Sequence, residues 1–317
     1  MPFGSLGLGL GLGAQSRAAQ KDMILVYEIP DPNTDIELAI QANSTYFSAG
    51  QSVVISWGDG SANEPVSDTG GSTYIGHTYT AAGTYKVKIS GSMTMYGRSS
   101  GVDIAGQAYL TRVDSFGKLG ITSFRFAFYK CTGLMSVPKT LPDSVTSMQD
   151  TFRNCYGDGF NPDVSKWDVS EVRCMSAMFN NCSGAGFNPD VSNWNVSKVT
   201  SMKGMFQNCS HANFKGGRGV DGLGRGIANW KPKSLSTGAT KGLSDFMLGA
   251  QAQDAAYLDS ILNAWAALIG DPVNPLPANI TATFPANQPY NGSVSGAALT
   301  ALAAHGWAIS TLIDTGN

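Results

Sequence analysis

Apolar and polar positions follow three successive periods along the chain. From Met23 to about residue 115 they alternate one by one in MILVYEI, DIELAIQ, SVVISW, TYKVKIS and AYLTRV, with turn residues between. A two-residue period belongs to half-buried strands, so this stretch predicts a β-sandwich. The period then lengthens to 27 residues: VTSMQDTFRNCYGDGFNPDVSKWDVSE starts at Val145, VRCMSAMFNNCSGAGFNPDVSNWNVSK at Val172 and VTSMKGMFQNCS at Val199. Phe152, Phe179 and Phe206 mark it, as do Cys155, Cys182 and Cys209, with Trp167 and Trp194 in the first two units. A degenerate unit precedes them (Ile121 to Cys131), and another follows at Leu243 to Phe246, after an insertion carrying Trp230. A unit this small cannot bury its apolar face alone, so five units over about 120–250 are expected to stack into a solenoid. Helical spacing comes last. Leu258, Ile261, Leu262, Trp265, Leu268 and Ile269 share one face of a helix ended by Asp271-Pro272. A second helix near Ala297 to Ala304 stops at Gly306, and Trp307-Ala308-Ile309 return as a short strand that caps the open end.

The stretch SVVISWGDGS (Ser52 to Ser61), followed by GHTYTAAGTYKVKISG (Gly76 to Gly91), resembles the PKD-like immunoglobulin-type modules, with their W-G-D-G turn and later H-T-Y…G-x-Y strand. That resemblance implies a spacer or adhesion module without catalysis, in which Trp57 and Tyr79 are core and Asp59 caps its own turn. The V-T-S-M-x-x-M-F-x-N-C and F-N-x-D-V-S-x-W-x-V-S motifs resemble the BspA-like leucine-rich-repeat surface proteins, and the carboxy-terminal segment looks like their closing segment. The family implies a non-enzymatic role in contact or adhesion and supplies no catalytic residue. The expected fold class is therefore mixed β and α/β. It comprises a Gly/Leu-rich attachment tail (1–22), a PKD-like β-sandwich (23–115), a leucine-rich-repeat solenoid (116–250) and an α/β capping segment (251–317).

In the tail, Gly and Leu alternate from Gly4 to Gly13, and the first basic residue, Arg17, lies behind the apolar run, which argues against a secretory signal. Leu6, Leu8, Leu10 and Leu12 fall on one side of an extended strand and fit addition to a neighbour's sheet or groove. A floppy leader without a role is the alternative.

Composition narrows the function. Only 14% of the 317 residues are charged, so Gly, Ser, Thr and Asn must cover the surface, as on extracellular or virion proteins. A formal net charge of -2 offers no basic field for nucleic acid, and no run reaches the length of a membrane-spanning helix. Five cysteines are too few for a disulfide scaffold. Cys131, Cys155, Cys182 and Cys209 track the repeat instead of pairing at zinc spacing, which predicts a buried ladder of reduced thiols. Cys174 stands where neighbouring units have Ser147 and Ser201.

No catalytic constellation, metal site or cofactor is expected. His77, His211 and His305 are far apart, and calcium at Asp59 would lack companion acidic ligands. GRGVDG (217–222) matches a dinucleotide fingerprint only formally, lacking a strand before it and a helix after it. Candidate binding residues are Trp167 and Trp194 on the solenoid surface, with Lys215, Arg218 and Arg225 in the insertion, where a plain solvated loop is the alternative. Sequons such as Asn43, Asn195 and Asn279 are read as incidental.

The expectation is a phage virion structural protein, a tail fibre, baseplate appendage or head fibre. It would be attached to other virion proteins through its tail, would be homo-oligomeric, and would bind a host surface glycan or envelope protein. The alternative is a bacterial cell-surface adhesin of the BspA-like family.

Overall fold

The computed structural model describes residues 21–218, 226–237 and 242–315. The fold is mixed β and α, with strands prevailing and two helices among the described residues. β1 (Met23–Ile29), β3 (Ser52–Ser56), β4 (Glu64–Ser67), β6 (Gly83–Gly91) and β7 (Leu110–Phe116) make an antiparallel sheet ordered β4-β3-β6-β1-β7. β2 (Thr34–Gln41) and β5 (Tyr74–Tyr79) pair as a separate two-stranded ribbon. Alternation in the sequence becomes facing in space: Leu25, Val87 and Ile89 of the sheet and Ile36, Leu38 and Ile40 of the ribbon are buried in one core. Tyr79 joins the two layers, its hydroxyl donating to the Trp57 carbonyl at 2.8 Å and its ring stacked on Tyr85 at 4.1 Å.

The repeat segments form coils joined by isolated parallel bridges that run Met95, Ser123, Ser147, Cys174, Ser201, Gly242. The amides of Thr122, Thr146, Arg173 and Thr200 each donate at 2.8 Å to the carbonyl of the residue in the same place one coil earlier. On the opposite flank, alternate amides of the M-x-x-M-F-x-N-C segment reach forward: Met148, Asp150, Phe152 and Asn154 donate to Cys174, Ser176, Met178 and Asn180. The amides between them close tight turns, as Thr151 to Met148 and Cys155 to Phe152. Such a chain of turns needs left-handed backbone at two places per coil: Asp150 and Asn154, Ala177 and Asn181, Gly204 and Asn208. Asn and Gly tolerate that region best, which explains the invariant Asn before each Cys in the three clear units.

Inside the coils side chains repeat as columns. Phe128, Phe152, Phe179 and Phe206 stack ring on ring at 5.5 to 5.7 Å, and Phe160, Phe187 and Phe214 stack at 5.8 Å. Asn161 and Asn188 each accept the backbone N–H 27 residues on, from Asn188 and Lys215, at 2.9 Å. Gly157 and Gly184 lie so close to the preceding coil that a Cβ would collide with the carbonyls of Thr132 and Gly157 respectively.

Neither end of this stack is bare. At the front, β7 bridges Ser136 through Arg112, and the core runs unbroken from sheet to coils, so the expected boundary at 115/116 marks no gap in packing. At the back, α1 (Ala255–Ala266), β8 (Thr281–Tyr290), α2 (Gly292–Ala304) and β9 (Ala308–Asp314) follow, with β8 and β9 parallel. Asp254 caps α1 by accepting from the Tyr257 amide, and Asn291 caps α2 by accepting from the Ser293 amide. β8 docks on the last coil through Leu243 and Ala282, and the Met247 amide donates to Thr283. The expected first helix is present but stops at Ala266, before Leu268 and Ile269, and the closing strand is present; the second helix starts five residues before Ala297, and β8 has no counterpart in the sequence reading.

Coil geometry predicts opposite signs for two alanine–glycine exchanges. Ala177→Gly relieves a left-handed alanine and is expected to raise the unfolding free energy by about 0.5–1 kcal/mol. Gly184→Ala forces neighbouring backbones apart and is expected to lower it by about 1–3 kcal/mol. Urea denaturation of both variants checks this, and a shift of the same sign in both would contradict the geometry.

Candidate functional site

The sequence-derived site residues divide sharply. Trp167 and Trp194 are each only 3% exposed, which corrects their assignment to the binding surface. Their indole N–H groups donate to Pro138 and Val164 carbonyls at 2.9 and 3.0 Å, and Trp230 continues the series onto Val191 at 2.9 Å. A buried indole needs such an acceptor, so the tryptophan column latches coil to coil.

Arg218 is likewise engaged. Its guanidinium donates to Asp254 at 2.8 Å and to the Lys215 carbonyl at 3.0 Å, and lies 4.3 Å from the Tyr257 ring centre. It staples the insertion to the start of α1 and is not a projecting cation. Lys215 is half-buried on the same segment. Arg225, most of the 217–222 glycine motif and the four leucines Leu6, Leu8, Leu10 and Leu12 lie outside the described residues.

Groups capable of chemistry are held in the interior or in local pairs. Burial pushes the Cys131 thiol up to about 12 and raises Cys155, Cys182 and Cys209 as well. Cys155, Cys182 and Cys209 donate to the carbonyls of Phe128, Phe152 and Phe179 at 3.0 to 3.2 Å, which holds them as neutral thiols. Cys174, half-buried, sits in the bridge column between Ser147 and Ser201. His305 Nε2 lies 2.8 Å from the Leu276 carbonyl, and His211 Nδ1 accepts from the Asn213 amide at 3.1 Å. His77 does have an acidic partner, distant in sequence: its Nε2 lies 2.7 Å from Asp59 Oδ2, and its ring stacks on Trp57 at 4.7 Å. The other Asp59 oxygen accepts from the Ser61 amide and hydroxyl, as expected of a residue capping its own turn.

Tyr156, Met135 and Leu248 are the large apolar side chains of the coils that remain outward among the described residues. Tyr156 is 49% exposed and Met135 56%, and Met135 packs beside Gly159 in the coil that carries Tyr156. Lys130 borders them, bonded to Asp103 at 2.9 Å and 5.6 Å from the Tyr129 ring centre. Its ammonium is held above the usual lysine value, chiefly by that hydrogen bond, with smaller help from Tyr129 and Tyr156. Val102, 46% exposed, lies on a loop ordered by Arg98. The buried Arg98 guanidinium donates to the Val102 carbonyl and to Gln107, both at 2.9 Å, and lies 5.7 Å from the Tyr129 ring. Sequence reasoning missed the exposed Tyr156 although a signal existed: it stands where the next two units have Ser183 and Ser210. Among the described residues no cluster of three or more His, Cys, Asp or Glu is arranged to hold a metal ion.

Residues 122–217 match the model of a family described as "Mycoplasma protein of unknown function, DUF285". The matched region covers the coils from the first degenerate unit to the start of the insertion. No curated protein and no solved structure matches the chain.

The Asp59–His77 pair gives a pH prediction. Burial alone would raise the Asp59 carboxyl, yet hydrogen bonds from Ser61 and His77 outweigh it and hold the group at about 2, below its ordinary 3.8. A depressed carboxylate stabilises the fold above its unfolded value and loses that contribution as pH falls through the folded one. Asp59→Asn is therefore expected to melt below the native protein at pH values well above 3.8, with the gap narrowing from 3.8 toward about 2. Melting temperatures across that range check it; an undiminished gap at the acid end would contradict the assignment.

Proposed function

We propose that this protein is a non-enzymatic bacterial cell-surface adhesin of the BspA-like leucine-rich-repeat type. In this reading the PKD-like sandwich is a spacer, and the coils are a short solenoid displaying a binding face. The observation that carries it is the division within the repeats. Phe, Met, Cys and Trp serve the interior, while Tyr156 and Met135 break the repeat pattern and face outward. An exposed aromatic beside a flexible thioether and a lysine suits stacking and shallow hydrogen bonding, the chemistry of sugar and glycoprotein contact. Support also comes from the family match over 122–217, which favours a bacterial surface protein over a virion fibre. No feature described above adds to the virion reading.

Catalysis is not proposed: the buried thiols are held neutral, and each histidine is engaged with a backbone group or with Asp59. Nucleic acid is not proposed as a partner, because a net charge of -2 supplies no basic field. Among the described residues no helix is long and apolar enough to cross a membrane. The proposed partner is a host surface glycan or glycoprotein, met by several copies of the chain whose combined contacts raise avidity.

Binding of the purified protein to immobilised mucin, measured by biolayer interferometry, tests this. Tyr156→Ser, which restores the residue of the sibling coils, is expected to weaken binding about tenfold at an unchanged melting temperature, the size of one lost aromatic contact. Met135→Ala is expected to act in the same direction. Binding that ignores both substitutions, or no binding to native or deglycosylated mucin, would overturn the reading.

A further inference from the structure

Positive charge gathers at one place on the coils. Because Ser123 bridges Ser147, Tyr129 and Arg153 hold equivalent positions in two successive coils, as do Phe126 and Asp150. The Arg125 guanidinium lies 5.5 Å from the Phe126 ring centre, the Lys130 ammonium 5.6 Å from that of Tyr129, and the buried Arg98 guanidinium 5.7 Å from the same tyrosine ring. Two carboxylates answer these cations and Arg153: Asp103 holds Lys130 at 2.9 Å, and Asp150 holds Arg153 at 3.2 Å. Arg125 shares the Asp150 charge from beyond ion-pair distance.

The arginines here are short of acceptors as well as of carboxylates. Three of the six buried side-chain nitrogen and oxygen atoms without a hydrogen-bond partner, among the described residues, are the Nε atoms of Arg98, Arg125 and Arg153. A partly buried cation that the chain leaves uncompensated is costly, and an approaching anion relieves that cost. The patch is also within reach from outside, since 42% of the Arg153 side chain and 35% of the Lys130 side chain are exposed. Later coils do not repeat it. The next coil has Ser176, Ala177 and Asn180 at these places, and in the one after, Lys203 is matched by Asp245 at 3.7 Å. The unmatched cations thus belong to two coils, the second of which carries Tyr156.

We propose that Arg125 and Arg153, with Lys130 beside them, take an anionic group of a glycan, either a sialic acid carboxylate or a sulfate ester, while a sugar ring of the same chain lies against Tyr156. The inference rests on the glycan-contact reading above and adds the charge of the ligand to it. A guanidinium presents its N–H donors in a planar fork that matches the paired oxygens of a carboxylate or a sulfate. The buried Phe126 and Tyr129 rings and the Asp150 carboxylate hold the cations in place, so little side-chain freedom is lost on binding. Lys130 is near enough to Tyr156 for the two to interact electrostatically, which joins the charged patch to the exposed ring. On a chain whose net charge is -2, a local excess of cations also steers an acidic ligand to this place.

Biolayer interferometry of the full-length protein on four mucin surfaces tests it: native, sialidase-treated, desulfated and treated both ways. Affinity is expected to fall about tenfold on the doubly treated surface, and the single treatments tell a carboxylate from a sulfate. Arg153→Gln, which copies Gln207 of a sibling coil, is expected to cost about as much on native mucin and nothing further on the doubly treated surface, because treatment and substitution remove one contact. Arg153→Lys is expected to recover part of the loss. Arg125→Gln, copying Gln149 of the next coil, serves as the second variant should Arg153→Gln lower the melting temperature. Equal binding to native and doubly treated mucin, or binding indifferent to both arginine variants, would overturn the proposal. A persisting effect of Tyr156→Ser in that case would leave the glycan reading standing without its anionic group, whereas no binding to any of the four surfaces would overturn both.

Discussion

Everything in the molecule rests on the backbone hydrogen bonds that tie each coil to the next. A coil of 27 residues contains almost no regular helix or strand, so its amides and carbonyls would be stranded in the interior without a neighbour. The sequence resolves this by spending conformation on register. Left-handed residues such as Asn154, Asn181 and Asn208 turn every second amide outward along the stack, where the next coil's carbonyl waits at 2.7 to 3.0 Å. A hydrogen bond contributes about 1 kcal/mol net, and a left-handed non-glycine residue costs about 1–2 kcal/mol. The arrangement therefore holds only because several bonds share two strained positions, and because the Phe, Met and Cys columns bury apolar surface behind them.

Once the backbone is fixed this way, the side chains have little freedom. The tryptophan column must find acceptors, and the carbonyls of Pro138, Val164 and Val191 supply them. The four buried cysteines must stay protonated, and a carbonyl accepts from each of them. Display follows from the same rule, because a position that points away from the stack takes part in none of these bonds. Tyr156 stands at such a position in place of the serine of its sibling coils, half exposed and outside the buried columns.

Most of the interior was legible in the sequence, since the period of Phe152, Phe179 and Phe206 states which positions face each other. Facing was harder to read than spacing. A period does not say which side is inward, so it cannot tell that Trp167 and Trp194 are buried, and their acceptors lie 29 and 30 residues away. Arg218 looked free because its carboxylate, Asp254, is 36 residues on, past the insertion. β8 was invisible because TATFPANQPY carries two prolines and a buried Gln288, none of which reads as strand, and it survives as one of only two strands in its sheet. The early start of α2 was hidden by Gly292, Ser293 and Gly296, poor helix formers that Asn291 caps and Ser295 anchors through the Asp259 carboxylate at 2.6 Å.

Amide hydrogen exchange of the native protein tests the central claim most directly. If inter-coil bonds hold the stack, the forward-reaching amides of Met148, Phe152, Met175, Phe179, Met202 and Phe206 should be among the slowest to exchange. They should also open together, with one common free energy close to that of global unfolding. Fast or mutually independent exchange at those amides, alongside slow exchange confined to the amino-terminal sheet, would contradict the account.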